Sequence, residues 1–394
     1  MSKDDSRVPK GNGSRVTHGG RDPSAQHGFV NTPVYRGSTV LFPTLDKLLS
    51  YDQRYTYGRN TTPTTDALCE AINEIEGADF TVLATSGLHA VSTAILSFVE
   101  AGDEILMTDS VYFPTRRFCD QVLTRMGVRT VYYDPLIGAK ISDLFTDRTR
   151  LVFTESPGSQ SFEMQDIPAI AAAARERGIW VLMDNTWATP LFFRAFDHGV
   201  DVSIQSATKY IVGHADALLG SIAANARAAP FVRRTSIALG NAAGSEETFL
   251  GLRGLRTLDV RLERHQRSGL EIAGWLRDRP EVAEVLHPGL PGATGHDIWK
   301  RDFLGATGLF SIVLNPVARE GLAAMLDHLR YFGMGYSWGG YESLIVPFDC
   351  SSYRTATVWK REGPALRLHI GLEDVADLKT DLAAGFERMA AAVA

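Results

Sequence analysis

Two short apolar runs, each followed closely by an ionisable residue, limit what this chain can fold into more than any other feature. The first run, residues 179–183, ends at Asp184, and the second, residues 200–204, precedes Lys209. A continuous apolar run such as the first is typical of a strand that is buried on both faces of a parallel sheet. We therefore expect a sheet with a carboxylate at the end of one buried strand and a lysine just after the next.

Together these residues match the needs of a pyridoxal phosphate site. Such a site requires an amine that bonds the cofactor, a carboxylate that pairs with the pyridinium nitrogen, and small donors for the phosphate. Lys209 and Asp184 supply the first two, and the hydroxyls of Ser206 and Thr208 stand beside the lysine. Either charged residue alone would more often be a helix cap or a solvated side chain. Both together, each after a buried strand, favour the cofactor site.

Strand-like and helix-like segments alternate through the first two thirds of the chain. Residues 80–84 predict a strand that turns at 86–88 into a helix, and similar units begin at Glu104 and Leu151. This alternation predicts an α/β fold whose mostly parallel sheet has helices on both faces and binds ligands at the carboxyl ends of its strands. The turn, the carboxylate and the lysine all fall at such ends.

The turn formed by Ser86, Gly87 and Leu88 is a candidate phosphate site. It would aim free backbone N–H groups and the positive end of the following helix at one point, where an anion is stabilised. A Ser-Gly pair at a helix start is more often only a cap, so the interpretation depends on the neighbouring lysine and carboxylate.

The first 60 residues predict an N-terminal arm. They are rich in Gly, Pro, Thr and Arg and show little periodicity, so we expect an extended segment that packs on something larger. The aromatic and cationic side chains of residues 55–59 would be placed to reach a neighbouring subunit. A disordered leader is the alternative for about the first fifteen residues.

Two domains are expected after this arm. Residues 61–256 would form the cofactor-binding α/β domain, and residues 257–394 a smaller C-terminal α+β domain. The boundary is suggested by a long polar helix over 258–277 and a bend rich in Pro and Gly at 287–292. Further segments in the smaller domain are a strand at 309–314, helices at 321–329 and from Asp374, and a strand at 366–370.

Arg367 is a candidate substrate ligand. In the strand pattern of residues 366–370 the apolar side chains share one face, so Arg367 and His369 point to the other. A guanidinium binds a carboxylate through two parallel hydrogen bonds, which suits an amino-acid substrate. A strand-face arginine paired with a surface aspartate would explain the pattern equally well.

Composition and motif content argue against several other classes. The net charge of -6 and the lack of a basic block give no reason to expect nucleic acid. Three distant cysteines, Cys69, Cys119 and Cys350, suggest neither a disulfide framework nor a metal site. The N-terminus has no signal-type apolar core and no run has the length of a membrane span, so a cytoplasmic protein is expected. P-loop, GxGxxG and HExxH motifs are absent.

Taken in order, seven motifs resemble the Cys/Met-metabolism family of pyridoxal-phosphate enzymes, which have the aminotransferase-like fold. The likeness runs from about Tyr55 to the C-terminus. The matching text is YTYGR at 55–59, TSGL at 85–88, ESPGS at 155–159, DNTWATP at 184–190, SATKYIVGHAD at 206–216, YSWGGYESL at 336–344 and RLHIGLED at 367–374.

The resemblance implies a role for each candidate residue. Lys209 would bear pyridoxal phosphate, Asp184 would pair with its ring nitrogen and Tyr112 would stack on the ring, which makes these three the expected catalytic residues. The phosphate would be held by Ser86, Gly87, Leu88, Ser206 and Thr208, with Tyr57 and Arg59 from a neighbouring subunit. The substrate carboxylate would be held by Arg367, and the substrate would be surrounded by Ser337, Trp338, Tyr57 and Tyr112. A shared site implies a homo-oligomer, and the family is usually tetrameric.

Two motifs separate subgroups of this family. Relatives that act at the γ carbon typically carry ESPxNP and SLGGxESL, whereas this chain has ESPGS and SWGGYESL. Both differences favour β-elimination at a carbon–sulfur bond of an amino acid. The alternatives are another enzyme of the same family, either a broad β-lyase of cysteine conjugates or an enzyme that acts at Cγ, and a cofactor-binding protein without activity.

Overall fold

The computed structural model describes residues 11–393 and contains two β-sheets that are covered by helices. The helices are α1 (Asn12–His18), α2 (Leu45–Ser50), α3 (Pro63–Glu76), α4 (Gly87–Leu96), α5 (Phe113–Phe118), α6 (Ile167–Glu176), α7 (Thr189–Phe192), α8 (Ala229–Ala238), α9 (Ser245–Leu255), α10 (Leu258–Arg277), α11 (His296–Asp302), α12 (Arg319–Leu326) and α13 (Val375–Ala391). The strands are β1 (Phe80–Ala84), β2 (Glu104–Thr108), β3 (Arg129–Tyr133), β4 (Thr149–Glu155), β5 (Trp180–Asp184), β6 (Val202–Gln205), β7 (Gly220–Ala224), β8 (Val282–Leu286), β9 (Leu309–Leu314), β10 (Phe332–Gly333), β11 (Ser343–Phe348) and β12 (Ala365–His369).

The larger sheet has seven strands in the order β1-β7-β6-β5-β4-β2-β3. Strand β7 runs antiparallel to both of its neighbours, β1 and β6, and the remaining neighbouring pairs are parallel. The prediction of a mostly parallel sheet is therefore confirmed. The carboxyl ends of β4, β5 and β6 lie side by side, which brings the polar residues that follow them to one edge of the sheet.

Helices pack on both faces of this sheet. Because successive residues of a strand point to opposite sides, neighbouring residues of one strand belong to different core clusters. In β4, Leu151 and Phe153 belong to a core cluster that contains Ala90 of α4. Val152, between them, belongs to a second cluster that contains Ile170 of α6. All three strand side chains are fully buried, which explains why this part of the sequence shows continuous apolar runs instead of alternation.

The smaller sheet has five strands in the order β10-β11-β12-β9-β8. The predicted helix at 258–277 coincides with α10, and the predicted strand at 309–314 coincides with β9. Strands β3, β7, β8, β10 and β11 were not predicted. Strands β3, β8 and β10 lie at sheet edges, where a polar solvent-facing side weakens the apolar pattern.

Part of the N-terminal arm is helical, so the prediction of an extended segment is wrong over residues 12–18. Val16 of α1 is 1% exposed and packs among apolar residues of α3 and α10. Arg256 donates hydrogen bonds to the carbonyl oxygens of Val16 and Gly19, each at 2.8 Å. This end of the arm is therefore fixed to its own chain, while residues 1–10 lie outside the described part.

None of the helices over residues 11–393 combines the length and the apolar character that a membrane crossing requires.

Candidate active site

Lys209 lies just after β6 with its amine held by a residue of the smaller domain. Its Nζ donates a hydrogen bond to Ser337 Oγ at 2.6 Å and lies 5.3 Å from the centre of the Trp338 ring. Burial and, to a smaller extent, the positive charge of Arg367 lower the pKa of Lys209, and Asp184 opposes both; the net value is about 8. A substantial fraction of this amine is therefore neutral near physiological pH, as a nucleophile or base requires.

Asp184 is the last residue of β5 and faces the same space. Its Oδ1 accepts hydrogen bonds from Thr186 N at 3.0 Å and from Thr186 Oγ1 at 2.5 Å. Burial raises the pKa of Asp184, whereas the two Thr186 hydrogen bonds and the charge of Lys209 lower it. A cationic ring nitrogen at this carboxylate would offset the cost of burial, because an opposite charge favours the ionised form.

Thr186 also links this carboxylate to the phosphate-binding candidates, since its Oγ1 accepts a hydrogen bond from Ser206 N at 2.8 Å. On the other side of Ser206 lies the turn that starts α4. A Cβ atom on Gly87 would stand only 2.3 Å from Ser206 Oγ, so the two segments approach as closely as a glycine allows. Ser86 caps the helix, with its Oγ accepting from His89 N at 3.2 Å.

Two further phosphate candidates differ in their surroundings. Thr208 Oγ1 donates to Leu219 O at 3.1 Å and accepts from Leu219 N at 2.9 Å, which ties the lysine segment to the residue before β7. Leu88 is 40% exposed in the first turn of α4. Their roles toward the phosphate stay predictions.

Glu155 also lies in this site, although the sequence motifs did not predict a role for it. It ends β4 and lies opposite Asp184 in the parallel register of β4 and β5. Its Oε2 accepts a hydrogen bond from Tyr112 N at 2.8 Å. Burial and the neighbouring Asp184 charge raise the pKa of Glu155 well above its usual value, and the hydrogen bond from Tyr112 N opposes them. The signal was present, because Glu155 opens the ESPGS motif at the end of a buried strand.

Tyr112 stands at the start of α5 and remains 46% exposed. Burial of its hydroxyl raises the pKa of Tyr112, the carboxyls of Glu155 and Asp184 raise it further, and Arg367 lowers it. The ring therefore lies within electrostatic reach of the groups that surround Lys209.

Arg367 reaches this space from β12 of the smaller domain. Its Nη2 donates a hydrogen bond to the carbonyl oxygen of Ser337 at 3.1 Å, and burial lowers the pKa of Arg367 to about 10. Trp338, which follows Ser337 in the chain, packs against Tyr210 with ring centres 5.4 Å apart. The alternative in which Arg367 pairs with a surface aspartate finds no support, because its described partner is a backbone carbonyl.

Tyr57 and Arg59 are not brought to Lys209 within one chain. Tyr57 forms an isolated bridge with Thr39, and the Arg59 guanidinium lies 5.8 Å from the Tyr57 ring centre. Arg59 Nη1 donates to the carbonyl oxygen of Ile237 at 3.3 Å, beside α8. Their action on a neighbouring subunit's cofactor stays a prediction.

The arrangement defines a class of protein: an enzyme of aminotransferase-like fold that binds its cofactor between a large and a small sheet. The residues fit pyridoxal phosphate, because an amine of lowered pKa, a carboxylate and a tight glycine turn lie around one space. A family described as Cys/Met metabolism PLP-dependent enzyme matches residues 13–387, so the chain belongs to this family and its cofactor is pyridoxal phosphate.

Relatives and solved structures agree with this assignment. A putative cystathionine beta-lyase of Rhizobium johnstonii is 53% identical over 95% of each chain. The cystathionine beta-lyase of Escherichia coli K12 is 43% identical over 95% of this chain and 98% of that one. A crystal structure of cystathionine gamma synthase from Xanthomonas oryzae pv. oryzae has a TM-score of 0.90 at 30% identity and covers 98% of this chain and 100% of that chain. Within residues 11–393, no cluster of three or more His, Cys, Asp or Glu side chains is arranged to bind a metal.

Proposed function

We propose that this protein is a carbon–sulfur lyase that cleaves L-cystathionine at its β carbon, consumes one water molecule and releases homocysteine, pyruvate and ammonia. The observation that carries the proposal is the Lys209 amine, which Ser337 holds at 2.6 Å in a space that Asp184 and Arg367 also face. The relatives described as cystathionine beta-lyases, together with the ESPGS and SWGGYESL motifs, support β over γ cleavage.

Each of these residues has a chemical task in the proposed reaction. When bound, the cofactor supplies an electron sink for the substrate Cα. Asp184 would keep the ring nitrogen protonated, and Tyr112 would cover one face of the ring. Arg367 would bind the substrate carboxylate through a two-pronged contact, which fixes Cα relative to the lysine.

Lys209 would move the proton. Its Nζ would accept the proton from Cα and then deliver it to the departing sulfur, so that the thiol leaves neutral. A pKa of about 8 suits both directions of transfer near physiological pH, because a base works best when its pKa lies near the operating pH. Ser337 Oγ would keep Nζ from rotating away between the two transfers.

Product analysis tests this proposal directly. The enzyme loaded with cofactor and given L-cystathionine should form homocysteine and pyruvate in equal amounts, and Lys209→Ala should form neither. Cysteine and 2-oxobutyrate as the main products would instead assign the chain to the γ-cleaving enzymes. A preparation that binds cofactor but consumes no amino acid would support the non-catalytic alternative.

We further propose a cytoplasmic homo-oligomer, a tetramer, whose sites are shared between subunits. Large apolar side chains of the arm are exposed in the single chain, which favours burial against a second copy. They include Phe29 at 71%, Leu41 at 83%, Leu45 at 67% and Leu49 at 74% exposure. The three cysteines are unpaired, in keeping with a reducing compartment.

A further inference from the structure

The turn of residues 337–340 is wedged between Lys209 and β12. Gly339 has a φ of 86°, and a Cβ atom on it would stand 3.0 Å from the backbone of Lys209 and Tyr210. Ser337 has a φ of 91°, a left-handed conformation that a residue with a side chain adopts only when its surroundings hold it there.

This turn sets two contacts of the active site at once. Ser337 Oγ accepts from Lys209 Nζ, and the carbonyl oxygen of Ser337 accepts from Arg367 Nη2. A displacement of the turn would therefore move the proposed base and the proposed carboxylate ligand relative to each other. The structure must contain something that fixes the turn.

His369 provides that support from β12. Gly339 N donates a hydrogen bond to its Nε2 at 3.1 Å, and the carbonyl oxygen of Gly340 lies 3.2 Å from the same atom. A neutral imidazole satisfies one of these groups in each tautomer, either by accepting from Gly339 or by donating to Gly340. The ring anchors the turn in both cases.

The ring itself is firmly held. His369 is 1% exposed, and its strand pairs with β9 through Leu309 and with β11 through Leu344. Its ring centre lies 5.2 Å from that of His265 and 6.0 Å from that of Tyr210. Burial, and then the charges of His265, Arg367 and Lys209, hold the pKa of His369 well below its usual value, so the ring stays neutral.

We propose that His369 is a positioning residue, whose imidazole fixes the 337–340 turn so that Ser337 meets both Lys209 and Arg367. The kinetic part of this inference rests on the proposed lyase function, whereas the structural part concerns the turn alone. A buried histidine that only fills space would contribute to stability without affecting the turn.

Three variants separate the two roles. His369→Gln keeps an amide near the position of Nε2, whereas His369→Asn is too short to reach Gly339. His265→Leu is the matched control, because His265 is equally buried in the same stack but its Nδ1 bonds to the carbonyl oxygen of Ile370 at 2.8 Å.

Hydrogen exchange of the cofactor-loaded enzyme, followed by mass spectrometry, reports on the turn without relying on activity. We expect His369→Asn to speed exchange in the peptide that covers 336–342, because Gly339 N–H loses its acceptor. His369→Gln and His265→Leu should leave exchange in that peptide close to the wild-type rate.

Kinetics with L-cystathionine tests the consequence for the site. His369→Asn should lower kcat/KM by ~10–100-fold, as expected for an unsatisfied buried hydrogen bond that disturbs the reacting geometry, and His369→Gln should recover most of the loss. Ser337→Ala added to His369→Asn should cost little more, because both changes remove the same contact, whereas it should add fully to His265→Leu.

Wild-type exchange in the 336–342 peptide of a folded His369→Asn variant would overturn the proposal, and so would full additivity with Ser337→Ala. If the Asn variant does not fold, His369→Gln provides the test. Hydrogen exchange of the 336–342 peptide, or a kcat/KM, equal to that of the wild type would support the proposal. Faster exchange together with a lower kcat/KM would contradict it. Should the wild-type enzyme not cleave cystathionine while His369→Asn still loosens the turn, the proposed function fails and the structural role of His369 stands.

Discussion

At the scale of single residues, the chemistry of this protein depends on one lysine whose environment disfavours its charge. The amine of Lys209 is largely desolvated, and the positive charge of the Arg367 guanidinium further disfavours its protonated form. Asp184 only partly restores the charged form. The cofactor-free protein therefore stores an unfavourable interaction at this position, which bonding to the cofactor aldehyde would relieve.

This interaction predicts a pH-dependent stability difference between wild type and Lys209→Met. The pKa of Lys209 is about 8 in the folded chain, and its ordinary value, which applies to the unfolded chain, is 10.5. Between these two pH values the unfolded chain therefore binds more protons than the folded chain. Wild-type stability should therefore rise with pH across this window, whereas the variant lacks this contribution. At pH 7 the cofactor-free variant should be more stable by about 3 kcal/mol.

Urea unfolding of both cofactor-free proteins from pH 7 to pH 10 measures the difference. A difference that stays constant over this range would contradict the lowered pKa.

At the scale of elements, the site depends on how closely secondary-structure ends approach one another. The start of α4 meets the segment after β6 at Gly87, where Ser206 leaves no room for a side chain. The end of α3 meets the middle of β6 through Glu76, a carboxyl that is 1% exposed. Each contact has a measurable consequence.

The first consequence is that Gly87→Ala should weaken cofactor binding. The new Cβ would stand 2.3 Å from Ser206 Oγ and 2.5 Å from Ser206 Cβ, so the helix start and the lysine segment must move apart. Overpacking of this kind costs about 1–3 kcal/mol, and a penalty of that size on binding would raise the Kd for pyridoxal phosphate ~5–150-fold.

Absorbance titration of the cofactor-free protein gives this Kd. Gly274→Ala in α10 is the control, because no atom lies within 4 Å of its added Cβ and cofactor binding should not change. Equal affinities of the Gly87→Ala variant and the wild type would argue against this phosphate site.

The second consequence is a loss of stability as the pH rises through the titration of Glu76. Its Oε1 accepts from Ser203 Oγ at 3.0 Å and Gln205 Nε2 at 3.3 Å, while Oε2 has no partner among the described residues. Burial raises the pKa of Glu76 to about 7 from 4.5. Between pH 4.5 and about pH 7 the folded chain therefore binds more protons than the unfolded chain. The contribution of protonated Glu76 to the free energy of unfolding is present at low pH and is lost as the pH rises through about 7.

Glu76→Gln should therefore leave stability nearly unchanged at pH 5 and increase it at pH 8 by up to about 3 kcal/mol. Chemical unfolding of both proteins at the two pH values provides the measurement. A variant that is destabilised equally at both would show that Glu76 is ionised in the folded state.

At the scale of the whole molecule, the site is composite. Lys209 and Asp184 come from the larger sheet, and Arg367 comes from the smaller one. Buried Asp109, after β2, joins the two parts, since its Oδ2 accepts from Ala356 N at 3.1 Å and from Thr357 N at 2.8 Å in the loop before β12. These hydrogen bonds connect the larger sheet to the loop before β12, the strand that carries Arg367.

The proposed sharing of sites between subunits predicts complementation. Lys209→Ala and Arg59→Ala chains should each be inactive or nearly so, the second through loss of cofactor. Coexpressed, they should form mixed pairs in which one site has both native residues, and random pairing would restore about a quarter of wild-type activity. Assays of the coexpressed chains, beside a mixture of separately purified ones, measure this. No recovery in a verified mixed oligomer would place Arg59 outside the partner's site.

The sequence by itself determined the mostly parallel character of the larger sheet, the long helix of the smaller domain and the residues that end the buried strands β4, β5 and β6. Continuous apolar runs mark fully buried strands, and polar residues that interrupt them mark the carboxyl edge, so Asp184 and Lys209 could be located without coordinates. The motifs around them sufficed to assign the family.

Only the tertiary structure decided the contacts between residues that are distant in the chain. The register of β4 and β5 places Glu155 beside Asp184, and the fold brings His369 to Gly339 across 30 residues. Helix α1 also escaped prediction, because tertiary packing of Val16 stabilises it and local propensity alone does not. Such contacts depend on register and packing, and a single sequence specifies these through the sum of many weak interactions instead of through a local pattern.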